Sequence, residues 1–198
     1  LGERLHQLCS PQALQAATTL LLMSPMIPLL FMGDEIAAGQ PFLFFTDHHG
    51  ELAAAVREGR RNEFADFAAF SDPERRAQIP DPNALQTFER CIPQFSQAPA
   101  ALYRQLLGLR RQHIVPHLPG SMALGAQVLG QGAVSARWRM GNGSILQIDL
   151  NLSAATLHHP AGITELFSTS SDPGSLTPFC ARVSLTPGDT SSPVGEHP

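Results

Sequence analysis

The chain has 198 residues, of which 43% are apolar and 15% are charged, and its formal net charge is −4. This length accommodates one domain or two small ones, and the apolar fraction is sufficient for a packed core. The weak negative charge argues against nucleic acid and anionic membrane surfaces as partners. All thirteen basic residues are arginine, which excludes a Schiff-base or phosphate-binding lysine in this chain.

The three cysteines, Cys9, Cys91 and Cys180, are odd in number and far apart in sequence. They form neither a disulfide framework nor a zinc-binding spacing, so we expect reduced thiols in a cytoplasmic protein. The first residues show no basic-then-apolar signal-peptide pattern, and a true N-terminus could still carry a targeting segment that this chain lacks. The apolar runs are much shorter than the roughly 18 residues that a membrane helix needs.

The first predicted helix covers Pro11 to Met23, with Ser10 as its N-cap and the Ser24-Pro25 step as its end. The run from Pro28 to Met32 is apolar throughout and lies between a proline and a glycine. Unbroken apolarity over five residues predicts a strand buried on both faces, as in a parallel sheet. A buried helical turn is the alternative.

An aromatic loop is predicted over Gly39 to Thr46, followed by a helix over Glu51 to Phe67. The segment from Ser71 to Phe95 is rich in proline and polar residues, which predicts a long irregular excursion. Pro99 to His113 is the clearest helix, because Leu102, Leu106 and Leu109 repeat at helical spacing. In the helix predicted over Glu51 to Phe67, Arg57, Arg60 and Arg61 are expected to face water.

The period of the apolar pattern changes to two after Pro119. Val134 to Met140 and Leu146 to Leu152 alternate around the turn signal Gly141-Asn142-Gly143, which predicts a β-hairpin with one buried face. A further strand is predicted over Phe179 to Leu185. The last residues, 187–198, are rich in Ser, Pro and Gly and are expected to be disordered.

Chemistry-bearing residues cluster after the predicted strand. Asp34 and Glu35 follow it directly, where barrel enzymes place carboxylates in the cleft, although an acidic cap for the next turn explains them equally well. Asp47, His48 and His49 come next. Adjacent loop residues rarely converge on one metal ion, so binding of sugar hydroxyls is favoured over a metal site. Stacking on a sugar ring and simple loop packing both remain open for Phe44 and Phe45.

Several of these segments together resemble one enzyme family, the malto-oligosyltrehalose trehalohydrolases of the α-amylase superfamily. The loop and its helix are the most specific, whereas the strand alone is shared widely in the superfamily. The segments that carry the resemblance are LGERL at Leu1, PLLFMGDE at Pro28, PFLFFTDHHGELAAAVREGRRNEF at Pro41, IPDP at Ile79, TFER at Thr87 and LYRQLLGLRR at Leu102.

The resemblance implies an α/β part followed by an all-β part. Residues 1–120 would be the last segments of a (β/α)8 catalytic barrel, with Pro11 to Met23 as its seventh helix and Pro28 to Met32 as its eighth strand. Residues 121–186 would form a small antiparallel β-sandwich-like domain, and residues 187–198 a disordered tail.

The activity implied by the resemblance is retaining hydrolysis of the α-1,4 bond next to the terminal trehalose of maltooligosyl trehalose. The family's three catalytic carboxylates would all precede Leu1, so no residue here is assigned as catalytic and the isolated chain is expected to be inactive. Glu35, Phe45, Asp47 and His48 would line the substrate side of the cleft. No cofactor, metal, nucleic acid or membrane is implied.

This chain departs from the family pattern at three positions. Asp34 replaces the usual Glu, Ile36 replaces an aromatic residue, and Cys91 replaces a small hydroxyl residue, which leaves the shape of the cleft near Asp34 open. Three alternatives remain: another superfamily enzyme such as a branching enzyme or trehalose synthase, a non-catalytic glucan-binding module within residues 121–186, and a truncated relic. The aromatic loop argues against the first.

Overall fold

The computed structural model describes residues 2–64, 79–94, 100–160 and 164–188. Its backbone divides into two compact units, one made of residues 1–8 and 31–99 and the other of residues 9–30 and 100–198. Parts of several predictions fall outside the described residues, namely residues 65–67 of the second helix, residues 71–78 and 95 of the excursion, Pro99, and residues 189–198 of the tail.

Five α-helices and seven strands are described. The helices are α1 (Leu5–Leu8), α2 (Pro11–Met23), α3 (Gly50–Glu63), α4 (Leu85–Glu89) and α5 (Ala101–Leu109), with short turns of other helix types at Asp34–Ile36, Arg110–Ile114 and Val115–His117. The strands are β1 (Met122–Gly130), β2 (Ala133–Arg139), β3 (Ile145–Asn151), β4 (Leu157–His158), β5 (Glu165–Ser168), β6 (Ser175–Leu176) and β7 (Cys180–Thr186).

Helix α2 confirms the sequence prediction at both ends. Ser10 has extended backbone, and its Oγ accepts a hydrogen bond from the Ala13 amide at 3.2 Å. Pro11 occupies the first turn, where the missing N–H is not needed. At the other end, the Ser24 amide donates to the Leu20 carbonyl at 3.1 Å.

The second unit is built on a five-stranded antiparallel sheet with strand order β1-β2-β3-β7-β5. The predicted hairpin is confirmed as β2 and β3, with Trp138 opposite Leu146. Strand β7 confirms the last predicted strand within one residue at each end. Strand β1 was not predicted, because its sequence MALGAQVLG shows no alternation and nearly all its side chains are exposed at the sheet edge.

One face of this sheet carries the hydrophobic core of the unit. Helices α2 and α5 both lie in this unit, and the apolar stripe of α5 is confirmed by Leu106, which is fully buried. The cluster holds Leu22, Met23, Leu106, Ile114, Trp138, Met140, Leu146, Ile148 and Val183.

The opposite face of the central strands is also buried, so the prediction of one buried face is wrong here. Asp149, Asn151 and Arg182 are fully buried. The chain between β3 and β7 folds over this face, and Arg182 donates to the carbonyls of His159, Asp172 and Ser175 at 2.7–2.9 Å. Side chains that looked solvent-facing by alternation therefore hold an overlying segment in place.

The prediction of a buried strand over Pro28 to Met32 is wrong. The segment has no strand hydrogen bonding, and the side chains of Leu29 and Met32 are 88% and 47% exposed. A parallel strand takes its hydrogen bonds from neighbouring strands, and the structure describes none beside this segment.

The remaining differences in the first unit are smaller. Helix α3 is described up to Glu63, and its three arginines are half-buried rather than directed at water. Within the predicted irregular excursion, residues 85–89 form helix α4. The helix predicted to reach His113 continues past α5 as a π-type turn over Arg110–Ile114.

Candidate functional site

The acidic turn after the exposed segment is a compact loop of residues 33–39. Gly33 adopts a φ of 86°, and a Cβ at this position would lie 2.8 Å from the Cβ of Ala38, so glycine is required here. The Gly33 amide donates to the Glu35 carboxylate at 3.1 Å. Glu35 thus binds the backbone of its own turn and is half-buried, whereas Asp34 is more exposed.

The side chain of Arg4 holds both ends of this loop, and the sequence analysis did not identify it. Its guanidinium is buried and donates to the carbonyls of Met32 and Gln40, each at 2.9 Å. These two residues flank the loop, so one side chain closes it. Nη1 of Arg4 also lies 3.6 Å from the Asp34 carboxylate, which makes Asp34 a partner of Arg4.

A row of edge-to-face aromatic rings connects this region to the next loop. The ring centroids of Phe31 and Phe42 are 4.7 Å apart, those of Phe42 and Phe45 are 5.7 Å apart, and those of Phe45 and Phe88 are 5.2 Å apart. Such pairs stabilise beyond the area they bury. The row holds the ring of Phe45 in one orientation.

Phe44 has a different environment from Phe45. The Arg60 guanidinium lies 4.9 Å from the centroid of the Phe44 ring and 4.4 Å from that of Phe64. Its charge also pairs with Glu63 at 2.6 Å. Phe44 therefore packs within the unit through a cation–π contact, which is the loop-packing alternative for this residue.

A pocket of about 430 Å³ lies beside Phe45, within the size range of small-molecule sites. It brings together two of the four predicted substrate-binding residues, Phe45 and Asp47. Glu35 and His48 are not among its lining residues. The full lining is Phe45, Thr46, Asp47, Asn83, Ala84, Leu85 and Phe88.

The Asp47 carboxylate is almost fully exposed, and His49 Nε2 lies 3.8 Å from it. Both side chains are therefore available to a ligand from solvent. No group of three His, Cys, Asp or Glu residues that could hold a metal ion occurs in the described part of the chain. The chemistry that this pocket offers is hydrogen bonding to polar groups next to an aromatic wall.

The loop that carries Asp47 is held by the turn at Asp81-Pro82-Asn83. Thr46 donates through its amide to the Pro82 carbonyl at 2.7 Å and through its hydroxyl to Asn83 Oδ1 at 2.8 Å. The IPDP motif of the sequence thus serves as an anchor for the aromatic loop. Asn83 was not identified from the sequence, because nothing in its neighbourhood indicates a contact 37 residues away.

The Asp81 carboxylate is itself tied to helix α3. Arg57 Nε donates to it at 2.7 Å, and the Asn83 amide donates at 3.0 Å. Burial pushes the pKa of Asp81 upward, but the hydrogen bonds from the Asn83 amide and from Arg57 outweigh burial and lower the pKa. The ionised form of Asp81 is therefore the one that supports this turn.

Comparison with known proteins gives one family model and a set of relatives. The model, described as a domain of unknown function (DUF3459), matches residues 122–191. Malto-oligosyltrehalose trehalohydrolase of Deinococcus radiodurans is 44% identical over 124 residues, which is 59% of this chain and 20% of that protein. The enzyme of the same name from Brevibacterium helvolum is 41% identical over 120 residues, 57% of this chain and 20% of that protein.

A solved structure is similar over most of the chain. The 1.4 Å crystal structure of a Salmonella typhimurium protein described as an α-amylase superposes with a TM-score of 0.79 at 38% identity, covering 93% of this chain and 32% of that one. No helix in the described ranges is both long and apolar enough to cross a membrane.

The chain spans about a fifth of the length of the curated relatives that it matches. Its antiparallel sheet and helices match part of an α-amylase family structure. The resemblance indicated by the sequence motifs is confirmed: over these residues the chain is similar to the malto-oligosyltrehalose trehalohydrolases.

Proposed function

We propose that this chain is part of a trehalohydrolase that cleaves the α-1,4 bond next to the terminal trehalose of maltooligosyl trehalose. Released trehalose would be the product, and the whole enzyme would act in trehalose biosynthesis. The observation that carries the proposal is the pocket beside the PFLFFTDHH loop, where Phe45 and Asp47 meet. This loop is also the most specific of the segments that resemble the family.

The pocket supports glucan binding by its chemistry. Phe45 and Phe88 supply an apolar wall, and Asp47 supplies a carboxylate that accepts hydrogen bonds from hydroxyl groups. We propose that Glu35 and His48 contribute from beside the pocket. The Gly33 amide uses one lone pair of Glu35 Oε2, which leaves Oε1 and the second lone pair of Oε2 for a ligand.

The proposed domain boundaries along the chain follow from the same resemblance. We propose that residues 1–120 belong to a barrel catalytic domain, that residues 121–186 form the β-domain and that the last twelve residues are a tail. The reaction would proceed by the retaining mechanism with a nucleophile and an acid/base, and none of these groups is assigned in this chain. The isolated chain would therefore bind glucan without hydrolysing it, and would need no cofactor.

We place the protein in the cytoplasm. Support comes from its thiols: no disulfide joins Cys9, Cys91 and Cys180, as is usual in reducing compartments. Burial raises the pKa of the Cys180 thiol, which keeps that cysteine protonated and unreactive.

Titration calorimetry with maltooligosyl trehalose tests the proposal on the chain as it is. We expect measurable binding that Phe45→Ala and Asp47→Ala each weaken about tenfold, the loss of one good contact. Glu58→Ala, an exposed acid on helix α3, is the matched control and should bind like the unaltered chain. Absence of binding, or equal binding by all four proteins, would contradict the proposed site. Release of trehalose by the pure chain would contradict its proposed inactivity.

A further inference from the structure

We propose that Asn83 is a positioning residue for the glucan pocket, acting through the two residues that flank Asp47 in the loop. This inference rests on the function proposed above and adds a residue that the sequence motifs did not include. Asn83 lies 36 residues after Asp47 along the chain, yet it lines the same pocket.

The Asn83 side chain contacts the residues immediately before and after Asp47. Its Oδ1 accepts a hydrogen bond from the Thr46 hydroxyl at 2.8 Å and another from the His48 amide at 3.1 Å. An amide oxygen has two lone pairs, so both are used on the neighbours of one residue. The loop is thereby held at the Thr46 side chain and at the His48 backbone.

Asn83 is itself held by hydrogen bonds from its side-chain amide and from its backbone amide. Its Nδ2 donates to the Ala53 carbonyl in helix α3 at 3.1 Å, and its backbone amide donates to Asp81 at 3.0 Å. The Thr87 hydroxyl donates to the Asp81 carbonyl at 2.6 Å. A group supported in this way on two helices keeps its oxygen in one place, which is what a preorganised site requires.

Asp47 needs such outside support, because its own carboxylate has little. The side chain is 98% exposed, and its contact with His49 Nε2 is long, at 3.8 Å, and also exposed to solvent. Exposed pairs of this kind contribute little to holding a side chain in place. The direction in which Asp47 leaves the backbone is therefore set by residues 46–48, and hence by Asn83.

Two substitutions at this position separate positioning from general stability. Asn83→Ala removes the acceptor oxygen and the donor to Ala53. Asn83→Asp removes that donor but keeps an oxygen for Thr46 and His48. In calorimetry with maltooligosyl trehalose, we expect Asn83→Ala to raise Kd about tenfold and Asn83→Asp to stay within about threefold, with the number of sites unchanged in both.

A merely structural role gives a different result. Both variants lose the bond to Ala53, so both should melt at a lower temperature under either role. If the role is only structural, calorimetry should show fewer binding-competent molecules at an unchanged Kd in both variants. That calorimetric result would overturn the inference. The control is Asn142→Ala, since Asn142 Oδ1 also accepts two hydrogen bonds, from the Ser144 amide and hydroxyl, in a hairpin turn of the other unit. It should leave Kd unchanged.

Hydrogen exchange without ligand separates this inference from the proposed function. Asn83→Ala should speed exchange of the His48 amide about tenfold or more, whereas Asn83→Asp should leave it close to that of the unaltered chain. If glucan fails to bind but exchange responds in this way, the proposed function is wrong and the role of Asn83 in fixing the loop stands. Unchanged exchange in Asn83→Ala would overturn the inference whether or not glucan binds.

Discussion

Arg110 provides the sharpest test of how the second unit is held together. Its guanidinium is buried and donates to the carbonyls of Leu22, Ser24 and Met26. Leu22 lies in the last turn of α2, where carbonyls have no partner within the helix. Burial lowers the pKa of Arg110, but an arginine keeps its charge in proteins.

The expected cost of Arg110→Met follows from these three contacts. The hydrogen bond to Leu22 is buried, so stranding that carbonyl costs about 2 kcal/mol. The other two carbonyls are only partly buried and can be rehydrated, which costs about 0.5 kcal/mol each. The variant should therefore lose about 3 kcal/mol of unfolding free energy, while Arg110→Lys, which keeps a charged donor, should lose about half as much.

Urea unfolding followed by tryptophan fluorescence measures this loss. Trp138 is the only tryptophan and belongs to the same buried cluster as Leu22. With a slope of about 2 kcal/mol per molar urea, the midpoint for Arg110→Met should fall by about 1.5 M. Arg111→Met, at the exposed neighbouring position, should change stability by less than about 0.5 kcal/mol. An Arg110→Met variant as stable as the unaltered chain, or equal losses at both positions, would refute the reasoning.

Three further predictions concern other contacts. Ser10→Ala removes the cap of α2 and should cost about 1 kcal/mol in urea unfolding, whereas Ser10→Asp should retain most of the stability; equal losses would contradict the capping role. Leu106→Ala should cost about 3 kcal/mol, because the side chain is fully buried, against about 1 kcal/mol or less for Leu107→Ala, which is 39% exposed. Because the pKa of Asp81 is lowered in the folded chain, its contribution is complete above about pH 4 and is lost as the pH falls through the folded-state pKa. The melting temperature of Asp81→Asn should thus lie below that of the unaltered chain at pH 7, and the two should converge as the pH falls through the folded-state pKa of Asp81; a pH-independent difference would count against this assignment.

Local periodicity was sufficient to predict where α2, α5, β2 and β3 lie, although not that β3 buries both of its faces. The cap and stop of α2, the leucine stripe of α5 and the alternation of β2 and β3 are all encoded within a few consecutive residues. Strand β1 lacks such a pattern. It is a strand because it pairs with β2 at the sheet edge, and its own sequence does not show this pairing. The apolar run at Pro28 to Met32 has the composition of a buried strand, but composition cannot supply the neighbouring strands that would pair with it.

The polar contacts were beyond prediction for a related reason. Arg182 and Asp149 face each other across neighbouring strands, and their burial depends on a distant segment folding over them. Arg110 directly follows α5, but its side chain donates to the last turn of α2, 88 residues earlier in sequence. In the candidate site, Phe45 and Asp47 were identified from one loop, but Arg4 and Asn83 reach that region across 28 to 37 residues of sequence.

The measurement that tests the central claim most directly is a comparison of two glucans on the same chain. Maltooligosyl trehalose and a linear maltooligosaccharide with the same number of glucose units differ only in the terminal linkage. Titration calorimetry should give a lower Kd for maltooligosyl trehalose, and Asp47→Ala should reduce the difference between the two. Equal affinity for both glucans, or binding of neither, would contradict the assignment of this pocket to a trehalohydrolase.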